Sequence, residues 1–238
     1  MARSSITATS IAPPMPRDHL DALGVFALRY VRPGHTIGLG TGRAASAFIR
    51  ALGERQIKVR GVPTSKASEG LARELGIEIV SLEEVRRIDT TFDGADEVDP
   101  RLNLIKGWGG ALVREKIVAA ASRRRVILVG QEKLVKRLGA HGMLPVEIVP
   151  FAAAFCIRKV AALGLKPKAR TDPMGREFLS DNQNLILDCG VREIRNPARL
   201  ERELRAIPGV VGTGLFVGMA DVVLVAGPGG NVQVLRRK

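Results

Sequence analysis

Residues 36–43 read Thr36-Ile37-Gly38-Leu39-Gly40-Thr41-Gly42-Arg43, and this stretch decides the fold. Thr36-Ile37-Gly38-Leu39 reads as a buried strand, Gly40-Thr41-Gly42 as a turn, and a helix follows from Arg43 to Leu52. Closely spaced glycines let backbone amides approach an anion, and the positive end of the following helix adds to the field. The bland alternative is a tight turn needing positive φ. No Gly-Lys-Ser/Thr follows, which disfavours a nucleoside-triphosphate loop. No ribose-binding acid is well placed after a six-residue glycine fingerprint, which disfavours a dinucleotide.

The strand–turn–helix rhythm extends both ways. Residues 18–31 predict a helix with Leu20, Leu23, Ala27 and Val31 near one face, ended by Pro33-Gly34. Downstream, strands at 59–62, 77–80, 87–92 and 126–129 alternate with helices at 67–75 and 109–121. Such alternation implies parallel β-α-β units, hence an α/β, Rossmann-like doubly wound parallel sheet. From residue 143 the order becomes β-α-β-β-α-β: strands at 144–149, 167–170, 185–189 and 210–216, helices at 151–163 and 197–206. That order describes a small α+β, ferredoxin-like domain. The apolar segment 221–225 then returns to the first sheet. The expected organisation is a disordered tail at 1–17, an α/β catalytic domain at 18–142 plus 212–238, and an inserted small α+β domain at 143–211. Pro13, Pro14 and Pro16 forbid a regular helix in the tail.

Composition narrows the function. Of 238 residues 45% are apolar and 26% charged, which excludes global disorder. No apolar run approaches the roughly 18 residues of a membrane span. Cys156 and Cys189 are too few for a disulfide framework or a four-cysteine zinc site, which fits a reducing, cytoplasmic compartment. Lys and Arg exceed Asp and Glu by 37 to 24, a net charge of +13 that points to an anionic partner: nucleic acid, a membrane surface or a phosphorylated metabolite. With aromatics at 4%, a stacking platform for single-stranded nucleic acid is disfavoured. The basic run Arg123-Arg124-Arg125 reads as the C-terminal end of a helix, complementing its dipole.

Three further segments carry chemistry. Thr64-Ser65-Lys66 stands between a strand and a helix, where its hydroxyls can cap the helix or touch a ligand. Asp93-Gly94-Ala95-Asp96-Glu97-Val98-Asp99-Pro100 packs four acids into seven residues at a strand end. A solvated turn or a divalent-metal site would be the ordinary reading, but the spacing lacks the EF-hand pattern. Lys106-Gly107-Trp108-Gly109-Gly110 sets a lysine beside a glycine run at a helix start, where several donors can surround a developing oxyanion. Glu115 follows about one turn into that helix. Acids, a lysine, a glycine cradle and a glutamate form the inventory for moving a proton beside a carbonyl.

In this order and spacing the residues resemble the ribose-5-phosphate isomerase family, type A, over nearly the whole chain from about Asp18. The likeness rests on Gly38-Leu39-Gly40-Thr41-Gly42, Thr64-Ser65, Asp93-Gly94-Ala95-Asp96-Glu97, Lys106-Gly107 with Gly109-Gly110, and Arg114-Glu115-Lys116. Thr171-Asp172, Asp181-Asn182, Ile186-Leu187-Asp188 and Ile207-Pro208-Gly209 extend it. The resemblance implies interconversion of ribose 5-phosphate and ribulose 5-phosphate through an enediolate, without cofactor or metal, in the non-oxidative pentose phosphate pathway. It implies Glu115 as the proton-transferring base, Asp93 and Asp96 at the ring-opening step, and Lys106 against the enediolate oxygens. Substrate contacts are implied at Gly40, Thr41, Gly42, Arg43, Ala44, Gly107, Trp108, Gly109, Gly110 and Lys133. A small-molecule pentose phosphate is then the partner, not nucleic acid or membrane, and a homodimer or homotetramer is implied.

Three positions depart from the family pattern. Arg43 and Ala44 stand where the family has Ser-Thr, Leu20 stands where a basic residue reaches the phosphate, and Trp108 interrupts the glycine run. Arginine binds phosphate bidentately, so Arg43 is expected to take over that grip. Trp108 is expected either to wall the pocket or to alter sugar choice. Two other classes compete: a sugar-phosphate sensor domain of a transcriptional regulator, and an amino-sugar phosphate deaminase. The first calls for a DNA-binding helix pair that the segment before the first strand has no room for. The second calls for a catalytic histidine, whereas His19, His35 and His141 all lie outside the acidic and glycine motifs.

Overall fold

The computed structural model describes residues 19–237, so the tail expected at 1–17 lies outside the described residues. The chain runs α1 (His19–Ala27), β1 (Thr36–Leu39), α2 (Arg43–Glu54), β2 (Arg60–Pro63), α3 (Lys66–Glu74), β3 (Glu78–Ile79), β4 (Ile88–Gly94), β5 (Glu97–Val98), β6 (Leu104–Ile105), α4 (Leu112–Ala120) and β7 (Ser122–Gly130). It continues through β8 (Met143–Ile148), α5 (Ala153–Ala162), β9 (Lys166–Ala169), β10 (Leu185–Gly190), α6 (Pro197–Arg205), β11 (Val210–Thr213), β12 (Leu215–Phe216), β13 (Val222–Ala226) and β14 (Val232–Arg236).

Seven strands form one sheet in the order β14-β13-β7-β4-β1-β2-β3. Every neighbouring pair is parallel except β13 with β14. Outside the antiparallel edge this is the Rossmann order, with the chain winding one way from β1 and the other way from β4. Side chains alternate across the sheet as strand geometry requires. Val126, Leu128, Val222 and Leu224 meet Leu23, Phe48 and Ile49 from α1 and α2 on one face. Ile127, Val129, Val223 and Val225 meet Leu104, Ala119 and Phe216 on the other. That second face is covered by α4 and by a three-stranded sheet, β12-β6-β5, rather than by helices alone. Phe48 and Phe92 stack at 4.1 Å between centroids in the first layer, and each buried ring stabilises the fold by about 1.5–3 kcal/mol.

Residues 143–213 supply all strands of the four-stranded antiparallel sheet, order β11-β8-β10-β9. This is the ferredoxin-like arrangement expected of a β-α-β-β-α-β sequence. Its own core gathers Val146, Ile148, Cys156, Val160, Leu187 and Leu204. The single strand expected at 210–216 is two strands, because the chain leaves one sheet for another at Gly214. Its N–H donates to the Pro145 carbonyl at 2.7 Å, and its own carbonyl accepts from the Lys106 N–H at 2.9 Å. The arginine run also differs from expectation. α4 stops at Ala120, and Ser122 already pairs with Ile88, so Arg123, Arg124 and Arg125 belong to β7. There Arg124 lies over the Tyr30 ring, while Arg125 grips Asp221 with two guanidinium hydrogen bonds of 2.9 and 2.7 Å. Among the described residues no helix is long and apolar enough to cross a membrane, and Cys156 and Cys189 are free and buried.

Candidate active site

The strand order reverses direction between β1 and β4. A crevice opens at the carboxyl ends of two such strands because their connections leave toward opposite sides. The sequence places Gly40-Thr41-Gly42 after β1 and Asp93-Gly94 at the end of β4, so these two motifs meet there. They meet closely: a Cβ on Gly40 would come within 2.3 Å of the Asp93 carboxylate, and only glycine fits. The adjoining cavity is small, about 150 Å³, and opens to solvent. Thr41, Gly42, Arg43 and Ala44 line it from one side, with Gly94, Asp96, Lys106, Gly107, Gly109, Glu115, Glu132 and Lys133 around the rest.

Beneath the cavity three charged side chains form a row. The Lys106 ammonium lies 3.1 Å from Asp93 Oδ2 and 3.2 Å from Glu115 Oε1, and donates to the Gly94 carbonyl at 2.7 Å. All three are at most 5% exposed. The other Asp93 oxygen accepts from the Thr41 and Gly94 amides at 3.0 and 2.8 Å. Glu115 Oε2 is buried and has no partner among the described residues. Burial, and then the Asp93 charge, push the Glu115 carboxyl up to about 8. Burial alone would weaken the Lys106 ammonium, but Asp93, Glu115 and Asp96 more than reverse this and hold it above the ordinary lysine value. Asp96 is raised by burial, despite the Trp108 amide that donates to it at 3.0 Å. An unpartnered carboxylate oxygen with a raised proton affinity, beside a permanently charged ammonium, suits proton transfer next to a carbonyl.

The acidic motif divides by function. Asp96 lines the cavity, and Asp93 lies buried behind it against Lys106. Glu97 turns inward and accepts from the Gly139 and His141 amides at 2.6 and 2.7 Å, fixing the loop there. Asp99 closes its own turn by accepting from the Arg101 and Asn103 amides. Among the described residues no group of three acids, histidines or cysteines converges where a metal ion could sit. Of the two roles expected for Thr64-Ser65 the structure shows the cap: Ser65 caps α3 through Ser68, and both hydroxyls meet Thr41 Oγ1, at 2.7 and 2.8 Å.

The glycine loop is built differently from a plain cradle. Gly107 has φ +104°, which a side chain would strain. Gly109 and Gly110 stay outside α4, which begins at Leu112 and not at 109 as expected. Trp108 is absent from the cavity lining; its ring lies beside Lys133 and His141. Arg43 is exposed at the cavity rim, and Leu20 stands near it. The sequence reading missed Arg170. From the end of β9 it donates to the Gly107 and Trp108 carbonyls at 3.2 and 3.0 Å, and Asp188 holds it by two bonds of 2.9 and 2.6 Å. It adjoins the Thr171-Asp172 motif, but no local pattern marks an arginine that acts across 63 residues of chain.

Fold and site together define an α/β isomerase, an enzyme that shifts hydrogen within one substrate. The family description "Ribose 5-phosphate isomerase A (phosphoriboisomerase A)" matches residues 60–230. The chain belongs to this family. It is 49% identical over 213 residues to the ribose-5-phosphate isomerase A of Roseiflexus castenholzii, covering 87% of this chain and 91% of that one. The Thermomicrobium roseum relative is 48% identical, with 89% and 91% covered. The solved Methanocaldococcus jannaschii isomerase superposes with TM-score 0.87 at 38% identity, over 93% of this chain and all of that one. A D-ribose-5-phosphate isomerase solved with phospho-erythronic acid gives 0.88 and 38%, over 92% and 98%.

Proposed function

We propose that this chain interconverts ribose 5-phosphate and ribulose 5-phosphate through an enediolate, in the non-oxidative pentose phosphate pathway. The observation that carries the reading is the Lys106 ammonium held at 3.1 and 3.2 Å between Asp93 and Glu115 beneath an amide-lined cavity. Asp93, with Asp96 beside it, moves the hydroxyl proton as the sugar ring opens. The Glu115 carboxylate then takes the proton from C2 and returns it to C1. Meanwhile the C1 carbonyl oxygen gains a proton and the C2 hydroxyl gives one up. Lys106 and the amides around Gly107 and Gly109 balance the charge that builds on the two oxygens, an electrostatic contribution worth about 10²–10³ in rate per well-aimed donor.

The phosphate end is assigned to Gly40, Thr41, Gly42, Arg43 and Ala44 at the start of α2, and Lys133 to a substrate oxygen. The unit expected at 18–142 plus 212–238 is then the catalytic domain, except that Gly212 and Thr213 pair in β11 and go with the small domain. The small domain at 143–211 contributes Arg170 as a brace. Phe151, fully exposed beside half-exposed Val149 and Phe155, supports a homodimer or homotetramer, and free buried cysteines are consistent with the cytoplasm. The test is conversion of ribose 5-phosphate by the purified chain in excess chelator without added cofactor. Turnover is expected; failure with every pentose phosphate would refute the assignment.

A further inference from the structure

Trp108 is the chain's sole tryptophan, and the mechanism leaves its side chain without a role. Its backbone is fully engaged: the N–H donates to Asp96 at 3.0 Å and the carbonyl accepts from Arg170 at 3.0 Å. The indole does something separate. Its Nε1–H is buried and finds no partner among the described residues, so the ring is not held by a hydrogen bond. What it offers is its face, and the Lys133 ammonium lies 5.2 Å from its centroid. His141 meets the indole edge-on at 6.1 Å. The backbone of His141 is itself pinned by the fully buried Glu97 carboxylate at 2.7 Å. The ring therefore has two neighbours, the His141 imidazole and the Lys133 ammonium, and of these only the ammonium lies over its face.

Lys133 ends the short turn Gln131–Lys133 after β7 and lines the cavity. Among the described residues no carboxylate lies within ion-pair distance of it. A four-carbon ammonium without an ion-pair partner samples many rotamers, and an aromatic face within about 6 Å restricts them. We propose that Trp108 is a positioning residue, whose ring face holds the Lys133 ammonium at the cavity in place to receive an anionic oxygen of the substrate. The proposal rests on Lys133 contacting substrate. It assigns a function to the large side chain that interrupts the glycine run.

The test is a double-mutant cycle with Trp108→Leu and Lys133→Ala. It is read both as kcat/KM for ribose 5-phosphate and as calorimetric affinity for phospho-erythronic acid, which needs no turnover. Trp108→Leu is expected to weaken one or both by about two- to thirtyfold, the range of a cation–π contact from exposed to desolvated. The loss falls in the same parameter, KM or kcat, that Lys133→Ala moves, and it disappears when Lys133 is already alanine. Trp108→Phe, which keeps a ring face, retains most of the wild-type values. Trp108→Met, which also removes the ring face, replaces the leucine variant in the cycle if that variant does not fold. Losses that add independently of Lys133 overturn the clamp alone. A silent Lys133→Ala overturns the reading of Lys133 and the clamp with it.

Discussion

Replacing Glu115 by Gln removes the proposed base while keeping its shape, and the structure sets what this does to rate and to stability. A positioned general base contributes about 10²–10⁴ in rate, so kcat is expected to fall by at least two orders of magnitude in a folded protein. The stability effect has a definite sign. Burial and the Asp93 charge raise the Glu115 carboxyl from 4.5 to about 8. Between those values the folded chain holds a proton that the unfolded chain has lost, so the free energy of unfolding falls as pH rises through the window. At about 1.4 kcal/mol per pH unit the interval amounts to on the order of 5 kcal/mol. Glutamine has no proton to lose. Relative to wild type, Glu115→Gln should gain little at pH 5 and several kcal/mol at pH 9, measured by urea unfolding at both values. The same shift predicts that wild-type kcat/KM climbs toward pH 8 and then levels. Lys106, held above its ordinary value, does not titrate in that range. Turnover in the variant within tenfold of wild type, or parallel pH dependence of the two stabilities, would refute the reasoning.

Arg43→Ala should raise KM for ribose 5-phosphate about tenfold with kcat nearly unchanged, because a charge-assisted contact to the phosphate acts equally on ground and transition states. An unaltered KM would return the phosphate grip to the amides of residues 41–44. Arg170→Met removes the hydrogen bonds to Gly107 and Trp108 and strands Asp188. Steady-state kinetics should show kcat reduced about tenfold, and thermal melts a loss of about 1–3 kcal/mol. Gly40→Ala drives a methyl group into the Asp93 carboxylate. It should cost about 1–3 kcal/mol by overpacking and lower kcat far more than a surface alanine would; full activity would show that Asp93 can move without consequence.

Much of this protein was legible in its linear pattern because the relevant physics is local. A four-residue apolar run ending in Gly40-Thr41-Gly42 marks a strand that turns into a helix, and its repetition implies parallel pairing. The change of rhythm at residue 143 marks a second kind of sheet. Glu115 and Lys106 could be singled out because helix and turn chemistry restrict which side chains stand near a glycine run. Short elements were legible only in part: β3, β5, β6 and β12 have two residues each, and the sequence marks β3 alone, through the apolar positions of 77–80 around it. The arginine run at 123–125 misled because a charged triplet says nothing about pairing, and Ser122 joins β7 only because Ile88 lies beside it.

What the tertiary structure decided is which of the local possibilities became chemistry. Four acids in one turn are equivalent on paper. Folding sends Glu97 inward and Asp99 back onto its own loop, and brings Asp93 to Lys106 across space that a side chain at Gly40 would fill. The raised proton affinity of Glu115 likewise belongs to no residue by itself, since it arises from burial beside a second acid brought from 22 positions away. Arg170 reaches the glycine loop from another sheet, and Trp108 meets Lys133 across a turn. Pattern along the chain sets the elements, whereas charge, solvent exclusion and close approach depend on distances in space that no spacing along the chain encodes.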